Sequence, residues 1–84
     1  MKKKHRKTLV AIYVRPTLGN ITFDDVEALM LALGAEMDEG AGSRVAFTLR
    51  GERIHFHRPH PGKEAKRYQI EDLRVFLGQL EIEP

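Results

Sequence analysis

The sequence predicts a single α+β domain over residues 1–84, with a three-stranded antiparallel sheet, helices on one sheet face, and the order α-α-β-β-β-α. Apolar residues recur at helical spacing in three segments. Between positions 44 and 58 they instead alternate with polar residues, which is the period of a half-buried strand. A chain of 84 residues is long enough for one hydrophobic core and too short for two.

The N-terminal segment is basic. Residues 1–4 contain three lysines and little to bury, so we expect this tail to be frayed. A first helix is expected from about His5, because Leu9 and Ile12 lie at helical spacing. Pro16 should end it, since the residue before a proline avoids the α conformation.

The second helix is expected over residues 23–33. Thr22 can cap its first turn, Asp25 follows three residues later, and Gly34 is placed to end the helix. Its apolar residues recur at helical spacing and predict one buried face: Phe23, Val26, Leu29, Met30 and Leu33.

Three strands should follow, at residues 35–39, 44–50 and 52–58, with Gly51 in the turn between the last two. The alternation predicts that one face of this hairpin is buried through Val45, Phe47, Ile54 and Phe56. The opposite, solvated face would then collect arginines, imidazoles and one threonine: Arg44, Thr48, Arg50, Arg53, His55 and His57. We call this surface the open face of the sheet.

The chain should end in a helix. Two prolines stiffen the loop at residues 59–63, and a helix is expected from about Gln69 to Leu80. Its apolar stripe comprises Ile70, Leu73, Phe76, Leu77 and Leu80.

Composition excludes several classes of protein. The chain has no Cys, which excludes disulfides, thiolate zinc sites and a cysteine nucleophile. No uncharged stretch approaches the roughly 20 apolar residues of a transmembrane helix, and the basic start lacks the long apolar region of a signal peptide. A cytoplasmic protein without a membrane partner is therefore expected.

The net charge of +2 conceals alternating blocks. Residues 1–7 carry five Lys or Arg and no acid, and residues 44–68 carry seven against two acids. The remaining residues are mainly acidic, with two basic and ten acidic side chains. A basic block that also contains three histidines suggests a surface for a polyanion, although mixed charge can also serve solubility alone.

The same histidines suggest chemistry. His55, His57 and His60 could supply the base and acid that RNA cleavage needs, and neighbouring arginines could stabilise the phosphorane. A metal site is disfavoured because these arginines would repel a dication and carboxylates are sparse nearby. The Gly40–Ser43 segment does not match a nucleotide-binding loop. Neither a metal nor another cofactor is expected.

The Gly42-Ser43 turn, the basic strand after it and the segment His60-Pro61-Gly62-Lys63-Glu64 resemble the HicA toxin family. The resemblance covers about residues 23 to 80. Members of this family are small ribonucleases, called mRNA interferases, that pair with HicB antitoxins. The resemblance implies an α-β-β-β-α fold like that of double-stranded-RNA-binding domains, with RNA on the open face and a HicB-like antitoxin that covers it.

One position departs from the family pattern. The family's catalytic histidine directly follows the glycine-containing turn, where this chain has Arg44. A guanidinium stays protonated at neutral pH and cannot shuttle a proton, so another imidazole would have to act as base. We expect His57, which neighbours His55 on the open face and lies close to the rigid Pro59; His60 matches the family's Pro-His-Pro step.

The candidate catalytic residues are therefore His57, His60 and the charge-stabilising Arg44. The candidate RNA-binding residues are Arg44, Arg50, Arg53, His55, Arg58 and Lys63. Two other functions remain open at this point. The chain could be a catalytically inactive RNA-binding or protein-interaction module, or a structural domain whose basic face contacts an acidic protein.

Overall fold

A computed structural model describes residues 1–84 and confirms the predicted fold class. The elements are α1 (Lys3–Ile12), α2 (Phe23–Ala32), β1 (Glu36–Glu39), β2 (Arg44–Leu49), β3 (Glu52–His57) and α3 (Arg67–Gln79). The strands form an antiparallel meander with β2 in the centre. No helix is both long enough and apolar enough to cross a membrane.

The β2–β3 hairpin has the predicted register. Its two-residue turn places Arg50 at φ 52° and Gly51 at φ 82°, and two consecutive positive φ angles are typical of a type I′ turn. Both strands are one residue shorter than expected, because Arg50 belongs to the turn and Arg58 follows the end of β3.

The core lies between the helices and one face of the sheet. Val45, Phe47 and Phe56 are buried as predicted, whereas Ile54 is only half-buried. Phe56 makes edge-to-face contacts with Phe23 of α2 at 5.9 Å and with Phe47 at 6.1 Å between ring centroids. This aromatic cluster holds the hairpin against α2 and leaves the other sheet face uncovered.

The second and third helices match the expectations within two residues. Thr22 accepts a hydrogen bond from the Asp25 backbone N–H at 3.2 Å, and Gly34 follows the helix end at φ 96°. α3 begins two residues earlier than expected, and the Gln69 side chain accepts from the Lys66 N–H at 2.9 Å.

The first helix differs at both ends from the expectation. It begins at Lys3, so the prediction that Lys3 and Lys4 are frayed is wrong: lysine is a good helix former, and the Lys4 carbonyl accepts from the Thr8 hydroxyl. It ends at Ile12, well before Pro16. A tertiary contact coincides with this end. Arg74 of α3 donates from Nε to the Ile12 carbonyl at 2.9 Å.

Arg74 fastens α1 to the rest of the domain. Its guanidinium also donates to the Val14 carbonyl at 3.2 Å and to the Thr17 hydroxyl at 2.8 Å. The Tyr13 hydroxyl adds a 2.7 Å bond to the Ile82 carbonyl, and burial, followed by the charge of Glu83, raises the pKa of that phenol. The polar contacts that dock α1 are therefore made at its C-terminal end.

Replacement of Arg74 by methionine should lower the free energy of unfolding by about 1–3 kcal/mol, because the partly buried Ile12 carbonyl would lose its Arg74 donor and the exposed Val14 carbonyl would lose a hydrogen bond. Urea denaturation measures this change. Asp72→Asn, at an exposed position of the same helix, is the control and should change stability by less than about 0.5 kcal/mol. Equal stability of the two variants would contradict this role of Arg74.

Candidate functional site

A shallow groove of about 280 Å³ lies on the open face of the sheet. All three strands and the turn after β1 contribute to it. The lining residues are Asp38, Glu39, Gly40, Arg44, Val45, Ala46, Arg53, His55, Phe56 and His57. The groove thus brings together four of the residues that the sequence singled out: two arginines and two histidines.

Strand register explains how these side chains meet. Arg44 is directly opposite His57 in the β2–β3 ladder, and Ala46 is opposite His55. Opposite residues on antiparallel strands project from the same face, with Cβ atoms about 4.5–5.5 Å apart. His57 is therefore the cross-strand neighbour of the guanidinium that follows the Gly-Ser turn. The small, buried Ala46 lines the groove opposite His55.

Arg53 is the centre of a polar network on this face. Its Nη1 donates to Asp38 Oδ2 at 2.9 Å and to the Thr48 hydroxyl at 3.1 Å, and its Nε lies 3.4 Å from His55 Nε2. The Arg53 and Asp38 side chains are 47% and 62% exposed, so water screens their ion pair and a phosphate can compete for the guanidinium.

Asp38 was missed by the sequence analysis. In the sequence it belongs to an acidic block, and only the pairing of β1 with β2, which sets Asp38 opposite Ala46, places it beside Arg53. Arg44, by contrast, forms no ion pair. The groove therefore holds one arginine that is paired with a carboxylate and one that is free to meet an anion.

The backbone at His57 is held on both sides. Its carbonyl accepts from the buried Gln69 side chain of α3 at 2.9 Å, and the next N–H, of Arg58, donates to the Ser43 carbonyl at 2.8 Å. The exposed ring has its Nδ1 3.5 Å from the Ser43 hydroxyl. The fold thus fixes the backbone position of His57 and leaves its imidazole ring accessible from the groove.

Two of the predicted RNA-binding arginines lie outside the groove. Arg50 was expected on the open face, but its Nη1 donates to the Leu80 carbonyl after α3 at 2.9 Å. Its position in the turn, where the strand alternation has ended, accounts for this difference.

Arg58 is engaged with carboxylates. Its guanidinium donates to Glu39 at 2.6 Å and to Glu27 of α2 at 3.0 Å. Both hydrogen bonds raise the pKa of the guanidinium, and the bond to Glu39 has the larger effect. Arg58 thereby ties the end of β3 to β1 and α2, and its charge is already balanced within the protein.

The loop after β3 supplies the remaining candidates. His60 is exposed and lines none of the grooves. Lys63 lines a separate groove of about 200 Å³ with Arg58 and Asp24, next to the start of α2. The structure therefore brings together Arg44, Arg53, His55 and His57, and it places His60 and Lys63 elsewhere. It contains no cluster of three or more side chains that could hold a metal ion.

Comparison with known proteins gives one match. A family model described as HicA toxin of bacterial toxin-antitoxin matches residues 23–82. The matched range begins at the first residue of α2 and includes the whole sheet and α3, but leaves α1 outside. Neither the comparison with curated proteins nor that with solved structures gives a significant match.

Proposed function

Because the chain belongs to the HicA toxin family, we propose that it is a toxin that cleaves RNA on the open face of its sheet. One observation carries the proposal: Arg44 and His57 are cross-strand neighbours in a groove. An imidazole and a guanidinium that point into one groove provide a proton acceptor and a fixed positive charge. Those are two of the groups that transesterification of RNA requires.

In the proposed reaction, His57 accepts the proton of a ribose 2′-hydroxyl. The 2′-oxygen then attacks the adjacent phosphorus, and the bond from phosphorus to the 5′-oxygen of the next nucleotide breaks. The negative charge that develops on the phosphorane is stabilised by Arg44 and by Arg53. His55, two positions before His57 on the same strand face, or a water molecule, protonates the leaving 5′-oxygen.

The register also accounts for the departure from the family pattern. The family resemblance puts the catalytic imidazole directly after the Gly-Ser turn, where this chain has Arg44. Position 57 faces position 44 across one rung of the ladder. An imidazole at 57 therefore reaches the same part of the groove from the neighbouring strand, and Arg44 adds a charge that a histidine would not hold permanently.

A HicB-like antitoxin is the proposed inhibitor. Membership of a toxin-antitoxin family implies a protein partner in general, and an inhibitor that covers the groove would block RNA and the proton-transfer groups together. The decisive experiment expresses the chain alone and with a neighbouring HicB-like gene product, while growth and transcript integrity are followed. Growth arrest with transcript cleavage, relieved by the partner, supports the proposal.

The second candidate is a catalytically silent RNA-binding module on the same fold. It is favoured by one observation, the arginine at position 44 where the family resemblance expects a histidine. Purified protein that binds RNA but leaves it intact across the neutral pH range would establish this function and exclude cleavage.

RNA binding on the open face should depend on phosphate contacts. Arg44→Ala and Arg53→Ala are each expected to weaken binding for all RNA sequences, and each should reduce the slope of log affinity against log salt by about 0.7. Arg50→Ala removes the same charge outside the groove and is the matched control. Fluorescence anisotropy at several salt concentrations measures the slopes. Equal effects of all three substitutions would contradict a defined phosphate site.

A further inference from the structure

A second basic surface lies on α1, outside the part of the chain that the family model covers. Five cations lie at its N-terminal end: Lys2, Lys3, Lys4, Arg6 and Lys7. All five are exposed, and none forms an ion pair with a carboxylate. Each of the five charges is therefore unpaired within the protein.

These cations are held on a rigid element. α1 buries Thr8, Leu9 and Ile12, and its C-terminal end is fixed by Arg74 and Tyr13. None of the five cations takes part in those contacts. The helix is thus docked by one face and one end, and the basic residues remain free for a ligand.

The charges also work against the helix that carries them. Cations near a helix N-terminus oppose the helix dipole, and α1 has neither an acidic residue in its first turn nor a side-chain cap. In the same chain α2 has Asp24, Asp25 and the Thr22 cap. A local cost to stability without a compensating internal contact is characteristic of surfaces that serve binding.

Lys3, Arg6 and Lys7 form the basic face of α1. Their spacing of three and four residues places them on one side of the helix, with neighbouring Cβ atoms about 5–6 Å apart. The buried residues lie on the other side. A groove of about 400 Å³ lies between α1 and the segment that precedes α2, but Asp25 lines it together with Lys4 and Lys7 and would repel a phosphate there. An anionic chain is therefore best accommodated along the outer, basic face.

We propose that the basic face of α1 is a second nucleic-acid-binding surface, which contacts backbone phosphates of RNA separately from the groove on the sheet. α1 packs against α2 and α3, so its outer face is distinct from the open face of the sheet. Three closely spaced cations suit a polyanion, because each phosphate contact releases condensed counterions. The proposal does not require that the protein cleave RNA.

The test combines substitutions on the two surfaces. The probe is a fluorescently labelled 2′-O-methyl oligouridine, which cannot be cleaved through a 2′-hydroxyl. The α1 variant carries Lys3→Gln, Arg6→Gln and Lys7→Gln, and the sheet variant carries Arg44→Ala and Arg53→Ala. Binding is measured as a function of salt for the wild type, each variant and the combined variant.

The α1 variant should bind at least tenfold more weakly at low salt, and its salt slope should fall by about 2, since each single-strand phosphate contact contributes about 0.7. The combined variant should bind more weakly than the sheet variant by the same factor, because separate surfaces contribute independently. If the sheet does not bind RNA, the α1 substitutions alone should abolish binding. Loss of RNA binding through the α1 substitutions alone would therefore support this inference even if the sheet does not bind RNA and the proposed function fails.

The controls separate charge from structure. Lys3→Arg with Lys7→Arg keeps the charge and should keep the affinity, whereas Arg15→Gln removes one exposed charge beyond the other end of α1 and should leave the salt slope unchanged. The midpoint of thermal unfolding of the α1 variant should equal or exceed that of the wild type, since unfavourable charges at the helix start are removed.

Three outcomes would overturn the inference. The first is an α1 variant with wild-type affinity and salt slope. The second is a loss of affinity that disappears in the sheet-variant background, which would make α1 only a source of long-range attraction to the groove. The third is polyglutamate that competes as well as unlabelled oligouridine, which would assign the surface to an acidic protein.

Discussion

Replacement of His57 by alanine is expected to lower the rate of RNA cleavage by a factor of about 10² to 10⁴, which is the usual contribution of a positioned acid or base. RNA affinity should change little, because the arginines of the groove remain. Cleavage of a labelled RNA under single-turnover conditions measures the rate directly, and RNA affinity is measured separately. Circular dichroism establishes that the variant is folded.

His60→Ala is the matched control, because it removes an exposed imidazole three residues further along that lines none of the grooves. It should leave the cleavage rate within about twofold of wild type, since surface substitutions away from a site have small effects. Full activity of His57→Ala together with inactivity of His60→Ala would reject the groove as the site of proton transfer and return the assignment to the loop.

The register allows a sharper test of the same idea. The His57→Arg variant alone should be inactive, because positions 44 and 57 would then both carry a guanidinium and neither could act as a base. Combining it with Arg44→His exchanges the two side chains across the ladder and restores an imidazole beside a guanidinium. Recovery of cleavage in the double variant would show that the pair acts as a unit. A double variant that is as inactive as His57→Arg would argue against the idea that the two side chains act as a unit.

The sequence was most informative where local rules and tertiary packing agree. Thr22 and Gly34 mark the limits of α2, and alternating residues on either side of Gly51 predict the hairpin and its buried face. Each of these features depends on residues close together in the chain. A β-strand places alternate side chains on opposite faces, so the positions of His55 and His57 on the open face followed directly.

The sequence was least informative for side chains whose partners are distant in the chain. Arg50 and Arg58 lie where the strands end, so strand alternation no longer determines their direction, and their partners Leu80, Glu27 and Glu39 are revealed only by the fold. Asp38 was overlooked for a related reason. Its contact with Arg53 crosses from β1 over β2 to β3, and one sequence does not specify the register of all three strands.

The same limitation applies to α1. Apolar spacing identified Leu9 and Ile12 as its buried residues, but the helix ends where Arg74 reaches the Ile12 carbonyl, and that contact joins residues far apart in the sequence. Helix propensity extended α1 into the lysine-rich start, although dipole electrostatics disfavour cations there. The unpaired cations of α1 could be recognised as one surface only from the structure, because it shows that the helix is docked against the domain.

The largest effect on stability is expected for Phe47→Ala. Phe47 is fully buried at the centre of β2 and contacts the Phe56 ring, which in turn contacts Phe23 of α2. Removing a buried phenyl ring loses its transfer free energy and leaves a cavity, at a cost of about 3–5 kcal/mol. A domain of this size has a total stability of about 5–15 kcal/mol, so the variant should approach the limit of folding.

Tyr68→Ala is the control for Phe47→Ala, because it removes an aromatic ring of similar size whose residue is 56% exposed, and it should cost less than about 1 kcal/mol. Urea denaturation of both variants gives the comparison. Since Phe47 holds the β2–β3 hairpin against α2, the Phe47 variant should also lose any RNA binding by the open face at a lower temperature than the Tyr68 variant. Similar stabilities for the two would mean that the cluster of Phe23, Phe47 and Phe56 does not anchor the sheet and that the open face is supported from elsewhere in the core.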